Sequence, residues 1–516
     1  MAGVKGNGAG EGFDEVFDVV VVGFGFAGGV TAIEAHDRGA KVLLVEKMPD
    51  PGGISICSHG AVCSTRKPDG AFAYLKATNA GRTPDPVLRA LADGMTELEA
   101  YVRKLAEPLG AEFMIRDRGG NYPLPGEDSF YYTQITAIPN FDSAQVYPQV
   151  RGRPAGPMVF YMLQRNVADR GIDVRLSTPV RDLIRTPERE VTGVVIETPT
   201  GERRRIGARR GVVLACGGFE GDPEMQRQYW QLMPVFPAAN RGNTGDGIRM
   251  SQALGAKLWH MWHFHGSYGF RHPDEKFFPF GIRVKRFPDW IPGKESRAVV
   301  QAPWILVDRK AKRFMNEFPP YVQDTGWREF EFFDPVTQSF PRIPAFLIFD
   351  EVGRRRFPMG NPAYNDRTMK FTWSRDNLKE VELGILKTDD TIAGLAKKLG
   401  LDPAMLEETM ARWNRMAAAK KDDDHGRPAG TMMKIQRPPY YAGEVWPVVS
   451  NTQGGPVHDA KQRIIVVDDQ PIPRLFAAGE LGSSFGHLYL AGGNIAECFV
   501  TGRIAGREVA SLPSWN

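Results

Sequence analysis

The sequence is poor in the features that mark unusual chemistry or location. No apolar run approaches the ~18–20 residues that span a bilayer, so no transmembrane segment is expected. Only four cysteines occur, Cys57, Cys63, Cys216 and Cys498, and none has zinc-site spacing. That density excludes a disulfide framework, and a reducing cytoplasm is the simplest location. Cys57 and Cys63 read as buried free thiols, not as a redox pair. An excess of one charge is missing too: 65 Lys and Arg against 61 Asp and Glu leave +4. No basic block stands out, which argues against a nucleic-acid partner. The opening MAGVKGNGAGEGFDE lacks the apolar stretch of a secretory signal, and residues 1–13 read as a flexible glycine-rich tail. There is no internal repeat.

What is present suits an enzyme-sized globular chain. Hydrophobic residues at 42% and charged residues at 24% rule out disorder over the whole length, and 516 residues correspond to roughly two to four domains. The strongest local signal is near the front. Residues 18–22, DVVVV, read as a buried parallel strand. Gly23-Phe-Gly25-Phe26-Ala27-Gly28 follows at once, then an Ala-rich helical stretch, then the strand Val42–Val45 ending in Glu46. In this order each element has a physical task. The first glycine permits a tight turn, the second lets the backbone approach a pyrophosphate, and the third lets the helix pack close to the strand. The helix N-terminus offers N–H groups and a positive dipole end to phosphate, and Glu46 can accept hydrogen bonds from a ribose diol. The pattern predicts dinucleotide binding.

Further along, residues 85–110 and 159–171 read as helices and 115–160 as Gly-, Pro- and Tyr-rich loops. Residues 173–214 read as a small β-meander returning to the buried strand Val212–Ala215, capped by Gly217-Gly218. From about residue 258 the texture changes to dense aromatics, His and Pro, marking a second domain. His260, His263 and His265 read as wall or packing residues instead of metal ligands, and the aromatics of 259–290 suit either a pocket lining or a core. After Pro438-Pro439 the first texture returns. Leu475-Phe-Ala-Ala-Gly479-Glu480 is a strand ending in a turn, and Gly492-Gly493-Asn494 opens a last helix. That helix N-terminus suits the electron-rich end of a reduced flavin ring.

Taken together, VVVGFGFAGGVTAIEA, LLVEKMPDPGGIS, VVLACGGFEGDPEM, NTGDGIRMSQALGA, LFAAGELG and GGNIAECFVTGRIAG resemble the fumarate reductase/succinate dehydrogenase flavoprotein superfamily over nearly the full length. The resemblance implies an α/β fold: a Rossmann-like FAD-binding domain, residues 14–257 and 438–516, with an inserted α+β capping domain, residues 258–437. It implies FAD, and assigns to its binding Gly23, Gly25, Phe26, Ala27, Gly28, Glu46, Lys47, Gly53, Ser55, Gly60, Gly217, Asp246, Gly479, Glu480, Asn494 and Ile495. No histidine stands at the covalent-attachment position ahead of Gly60, so the FAD is expected to be non-covalent, with His59 the one histidine nearby.

The sequence departs from the fumarate branch at two places. Asn451-Thr-Gln-Gly454-Gly455 replaces His-Thr-x-Gly-Gly, and Leu490 stands where that branch has a carboxylate-binding arginine. Losing the guanidinium removes the natural clamp for a dicarboxylate. The chain is more similar to the 3-ketosteroid dehydrogenase branch. Arg313-Phe-Met-Asn316-Glu317-Phe-Pro-Pro320-Tyr321 matches its arginine-aromatic-x-Asn-Glu stretch and Pro-Tyr. Tyr489 with Gly493 matches its Tyr-Pro-Gly-x-Gly in part, Leu490-Ala491 replacing Pro-Gly.

That branch implies a dehydrogenase that places a C=C bond α,β to a ring ketone, either a 3-ketosteroid or a smaller oxo-cyclohexane. The substrate oxygen must be polarised, an α-proton removed and a β-hydride accepted. The resemblance assigns polarisation to the Tyr489 hydroxyl and the Gly493 N–H, donors worth roughly 2.7–4 kcal/mol each. FAD N5 takes the hydride and Tyr321 the proton. A phenol titrates near 10, so Tyr321 needs a nearby cation, for which Arg313 is a candidate, or a relay through Tyr122, Tyr131 or Tyr132. An acceptor of the oxygen, quinone or dye-like class must then reoxidise the flavin. The alternative is reduction of the C=C bond of an enoate other than fumarate. A flavin-binding subunit without turnover of its own is disfavoured by the complete set of site residues.

Overall fold

The computed structural model describes residues 12–151, 155–277, 279–292 and 300–515. Residues 1–11, most of the expected tail, lie outside them. Its end is in contact with the fold: Phe13 stacks on Trp515 with centroids 5.6 Å apart, and Arg205 Nε donates to the Gly12 carbonyl at 2.9 Å.

Val19–Val22 of the strand Glu15–Val22 are buried on both faces, as a central parallel strand requires. Val19 and Val21 face a core shared with Ala32, Ile33, Phe499 and Val500 of the helices Phe26–His36 and Gly493–Ser511. Val20 and Val22 face the opposite core with Val194 and Ile206. Parallel strands run in the order Asp173–Arg175, Val42–Val45, Glu15–Val22, Arg203–Leu214, Pro471–Ala477. The strand order reverses between Glu15–Val22 and Arg203–Leu214, so a crevice opens beyond their carboxyl ends.

A second large sheet forms the cap, in the order Ile305–Val307, Ala345–Asp350, Tyr440–Thr452, Phe264–Arg271, Gly281–Val284, Gly360–Asn361. Its spine is Tyr440–Thr452, which pairs with Ala345–Asp350 along one half and with Phe264–Arg271 along the other. The sequence reading ended the cap at residue 437. The chain instead crosses back after Thr452, because Pro438-Pro439 leads into a strand, where a missing N–H is tolerated. A further difference lies at Phe130–Ala137, inside the stretch read as loops. Its aromatic and β-branched run FYYTQITA pairs antiparallel with Ala61–Thr65 and Glu112–Asp117. The aromatics of 259–290 are chiefly cap core: Phe264, Tyr268, Phe270 and Phe280 are buried together, and Phe264 stacks on Trp327 at 4.0 Å. No helix among the described residues is long and apolar enough to cross a membrane.

The cap also buries an ion cluster. Arg313 reaches Glu317 at 2.8 Å and Asp422 at 3.0 Å, and Arg427 reaches Glu317 at 3.2 Å, all nearly inaccessible to water. Burial alone would raise the Glu317 carboxyl, but the two guanidinium groups hold it below the ordinary value. Glu317→Ala would leave both arginines short of their counter-charge. It is expected to cost about 3–5 kcal/mol of stability, read as a lower denaturant midpoint at unchanged slope.

Candidate active site

The crevice at the switch point continues under the cap as one cavity of about 1180 Å³. Its first wall is built by the glycine-rich turn. Gly23 has φ +103°, and a Cβ there would lie 2.5 Å from the Ala215 carbonyl oxygen; a Cβ on Gly28 would lie 1.8 Å from that of Gly23. No larger side chain fits either place, which is how the helix start is brought against the strand end. Gly25, Phe26 and Ala27 line the cavity at that start, and Ser55 Oγ accepts the Phe26 N–H at 3.3 Å. Glu46 closes the adjoining strand: its carboxylate accepts the Phe24 N–H at 2.9 Å and the Met48 N–H at 2.8 Å. Burial pushes this carboxyl up, and those amides oppose the shift. Lys47 Nζ, also on the wall, bridges Thr244 and Asp246 at 2.7 Å each.

Gly53, Gly217, Asp246, Glu480, Asn494 and Ile495 line the same cavity. Gly28, Gly60 and Gly479 stand behind it as close-packing positions. A Cβ on Gly60 would meet the Ala155 carbonyl at 2.4 Å, and the Gly479 N–H is held by Thr501 Oγ1 at 2.8 Å. Glu480 forms a buried acid pair that the sequence did not reveal. Asn243 Nδ2 bridges Glu220 at 2.8 Å and Glu480 at 3.2 Å. Burial and the neighbouring Glu480 raise the Glu220 carboxyl well up, and burial raises Glu480 too.

This wall fits an adenine–flavin dinucleotide. It offers a helix N-terminus for the pyrophosphate, Glu46 for a ribose diol, and a second helix start at the far end. There Asn494 Oδ1 is buried without a partner, an acceptor awaiting a donor from a bound group. Glu46→Ala removes charged acceptors worth about 1.5–3 kcal/mol. The Kd for FAD is expected to rise roughly 10–100-fold in titrations of apoprotein.

The opposing wall carries the tyrosines. Tyr489 and Tyr321 are both buried, with ring centroids 6.1 Å apart and planes 21° off parallel, and His265 packs 4.1 Å from the Tyr489 centroid. All three line the cavity. The Tyr489 hydroxyl accepts the Asn494 N–H at 3.2 Å, so its own proton is free to donate. The Tyr321 hydroxyl has no hydrogen-bond partner among the described residues. Burial pushes its phenol well above 10, Tyr489 adds to the rise, and Arg286 opposes it.

Three expectations are corrected here. Gly493 does not line the cavity, and its N–H donates to the Leu490 carbonyl at 2.7 Å, so it is not free as a second donor to substrate. The left-handed Gly492, φ +73°, turns the chain that way. Arg313 is committed to the ion cluster of the cap, and the cation beside Tyr321 is Arg286. Tyr122 does not line the cavity either. Its hydroxyl donates to Asp324 Oδ2 at 2.6 Å, the oxygen that also accepts the Tyr489 N–H at 3.0 Å. Tyr122 therefore buttresses the Tyr489 backbone instead of relaying a proton. His263 stands 3.5 Å from the other Asp324 oxygen, and His260 is tied to Ser483 and Thr83. Of the other tyrosines, Tyr132 lines the cavity and donates to the Ala491 carbonyl at 2.7 Å, while Tyr131 packs under Arg66. All four cysteines are free thiols.

Residues 18–495 match the family model described as an FAD binding domain. The chain is 27% identical to 3-oxosteroid 1-dehydrogenase of Mycobacterium tuberculosis (strain H37Rv), over 96% of this chain and 98% of that protein. It is 26% identical to NADH:fumarate oxidoreductase of Klebsiella pneumoniae (strain 342), over 96% of this chain, and spans only about half, 48%, of that longer relative. Among solved structures, 3-ketosteroid Δ1-dehydrogenase from Sterolibacterium denitrificans, in complex with 1,4-androstadiene-3,17-dione, superposes with a TM-score of 0.81 at 25% identity, covering 96% of this chain and all of that one.

Proposed function

The chain belongs to the FAD binding domain family and is an FAD-dependent oxidoreductase, and from that premise we propose that it introduces an α,β C=C bond into a cyclic ketone. The observation that carries this reading is the stacked pair of buried tyrosines facing the cavity, one with a proton to give and one with an unpartnered hydroxyl. Tyr489 donates its hydroxyl proton to the ketone oxygen and stabilises the enolate as charge develops. Tyr321 takes the α-proton, with the Arg286 guanidinium favouring its ionised form. Glu46, the glycine-rich turn and the start of the last helix hold the cofactor. FAD, when bound, supplies the hydride acceptor. Leu490, buried where a dicarboxylate reductase would need a guanidinium, supports a ketone over fumarate. Supporting this further, two relatives that align over nearly their full lengths are named for ketosteroid dehydrogenation.

The test is anaerobic mixing of the yellow holoprotein with cyclohexanones and 3-ketosteroids of increasing size. Bleaching of the flavin band by at least one ketone is expected. A flavin that stays oxidised with all of them defeats the proposal.

A further inference from the structure

The cap side of the cavity is lined by arginines, one of which stands without an acidic partner among the described residues. Arg118, Arg283 and Arg286 all line it. Arg118 and Arg286 both reach Asp289, which Arg286 Nη2 meets at 3.0 Å. Arg283, on the strand Gly281–Val284, has no acidic partner among the described residues. Its Nη2 donates to Ser450 Oγ at 2.9 Å, and its Nε is buried without a partner. Arg283 thus faces the cavity as a buried guanidinium with no acidic partner among the described residues. Burial presses the Arg283 guanidinium below its ordinary range, yet arginine stays protonated. A buried cation without a counter-charge is costly, and a fold keeps one where an anion will arrive.

The position of Arg283 says which anion. The cofactor's phosphates belong at the helix start by Gly25–Gly28, on the opposite wall. Arg283 stands on the cap sheet, bonded to Ser450 next to Asn451, and Arg286 extends the positive region to the two tyrosines. An unpaired planar fork with free N–H donors suits a carboxylate. We infer that the ring ketone taken by this site carries a carboxylate, which Arg283 binds while the ketone oxygen sits at Tyr489. The inference rests on the dehydrogenation reading above and narrows its substrate class to an oxo-acid on a ring.

The test separates binding from turnover. Oxidised holoenzyme is titrated with cyclohexanecarboxylate, which has no ketone to react, and with cyclohexanol, while the flavin spectrum is followed. The carboxylate is expected to perturb the spectrum with a Kd at least tenfold lower than the alcohol. In Arg283→Met that Kd should rise at least tenfold, with affinity for cyclohexanone within about twofold of wild type; Arg283→Lys should recover part of the loss. An unchanged flavin-to-protein ratio and melting temperature show that the variant is folded. Carboxylate binding no tighter than alcohol binding, or unaffected by Arg283→Met, overturns the inference. Turnover is read apart from this, with oxocyclohexanecarboxylates and cyclohexanone. Carboxylates that bind but never bleach the flavin leave the anion site standing and sink the dehydrogenation reading. Neutral ketones that bleach it while carboxylates neither bind nor react do the reverse.

Discussion

Replacing Tyr489 by Phe is expected to lower kcat by roughly 10²–10³ while the flavin stays bound, because one preorganised donor to a developing oxyanion is removed. The substitution is clean for structural reasons. The ring is held by packing against His265 at 4.1 Å and Phe485 at 5.3 Å, contacts that Phe keeps. Its backbone N–H is fixed by Asp324 independently of the hydroxyl. Among the described residues, the only bond lost is the long one from the Asn494 N–H, at 3.2 Å. The effect should therefore appear in the rate of flavin reduction after anaerobic mixing and hardly in thermal stability. With Gly493 engaged elsewhere, Tyr489 stands as the principal donor, and a change of less than tenfold would remove its hydroxyl from enolate stabilisation.

The parts of the fold written in local chemistry were legible from the chain. Gly23 and Gly28 announce themselves because only glycine tolerates a carbonyl oxygen within 2.5 Å of a would-be Cβ, and such a turn has few purposes between a strand and a helix. Tyr321 and Tyr489 were reachable only through resemblance, since nothing in the spacing of a buried tyrosine separates it from packing. What escaped was decided by tertiary pairing. The fate of the Gly493 N–H depended on a left-handed Gly492 that aims it at Leu490, a matter of dihedral angle with no sequence signature. Arg313 was the cation the sequence offered, but Glu317, four residues on, and the distant Asp422 claim it, and Arg286 takes its place only through the fold of the cap. Glu480 was placed at the cofactor by resemblance, but nothing in the sequence joins it to Glu220, which one asparagine bridges to it in the fold. Tyr440–Thr452 was misplaced because a strand that knits two others carries the same alternation as any strand, and its partners lie far away in the chain.

Tyr321→Phe is expected to reduce kcat by about 10²–10⁴, the usual worth of a positioned base, and to abolish exchange of the substrate's α-proton with solvent while FAD remains bound. The pH dependence gives the sharper reading. A phenol acts as a base only when ionised, and burial together with Tyr489 holds the Tyr321 phenol well above 10. Below that value the ionised fraction grows tenfold per pH unit. The wild-type rate of flavin reduction should therefore climb with pH across the neutral and mildly alkaline range, and Tyr321→Phe should flatten the climb. Arg286 supplies the opposing pull. Removing its charge in Arg286→Met should move the rise to still higher pH and slow the reaction at neutrality, without changing the maximum reached when the phenol is fully ionised. Both measurements bear on one assignment from different sides. A Tyr321→Phe enzyme that retained the alkaline climb would place the base on another group, whatever its loss of rate; a climb that stayed put in Arg286→Met would mean that the guanidinium beside the phenol does not govern its ionisation.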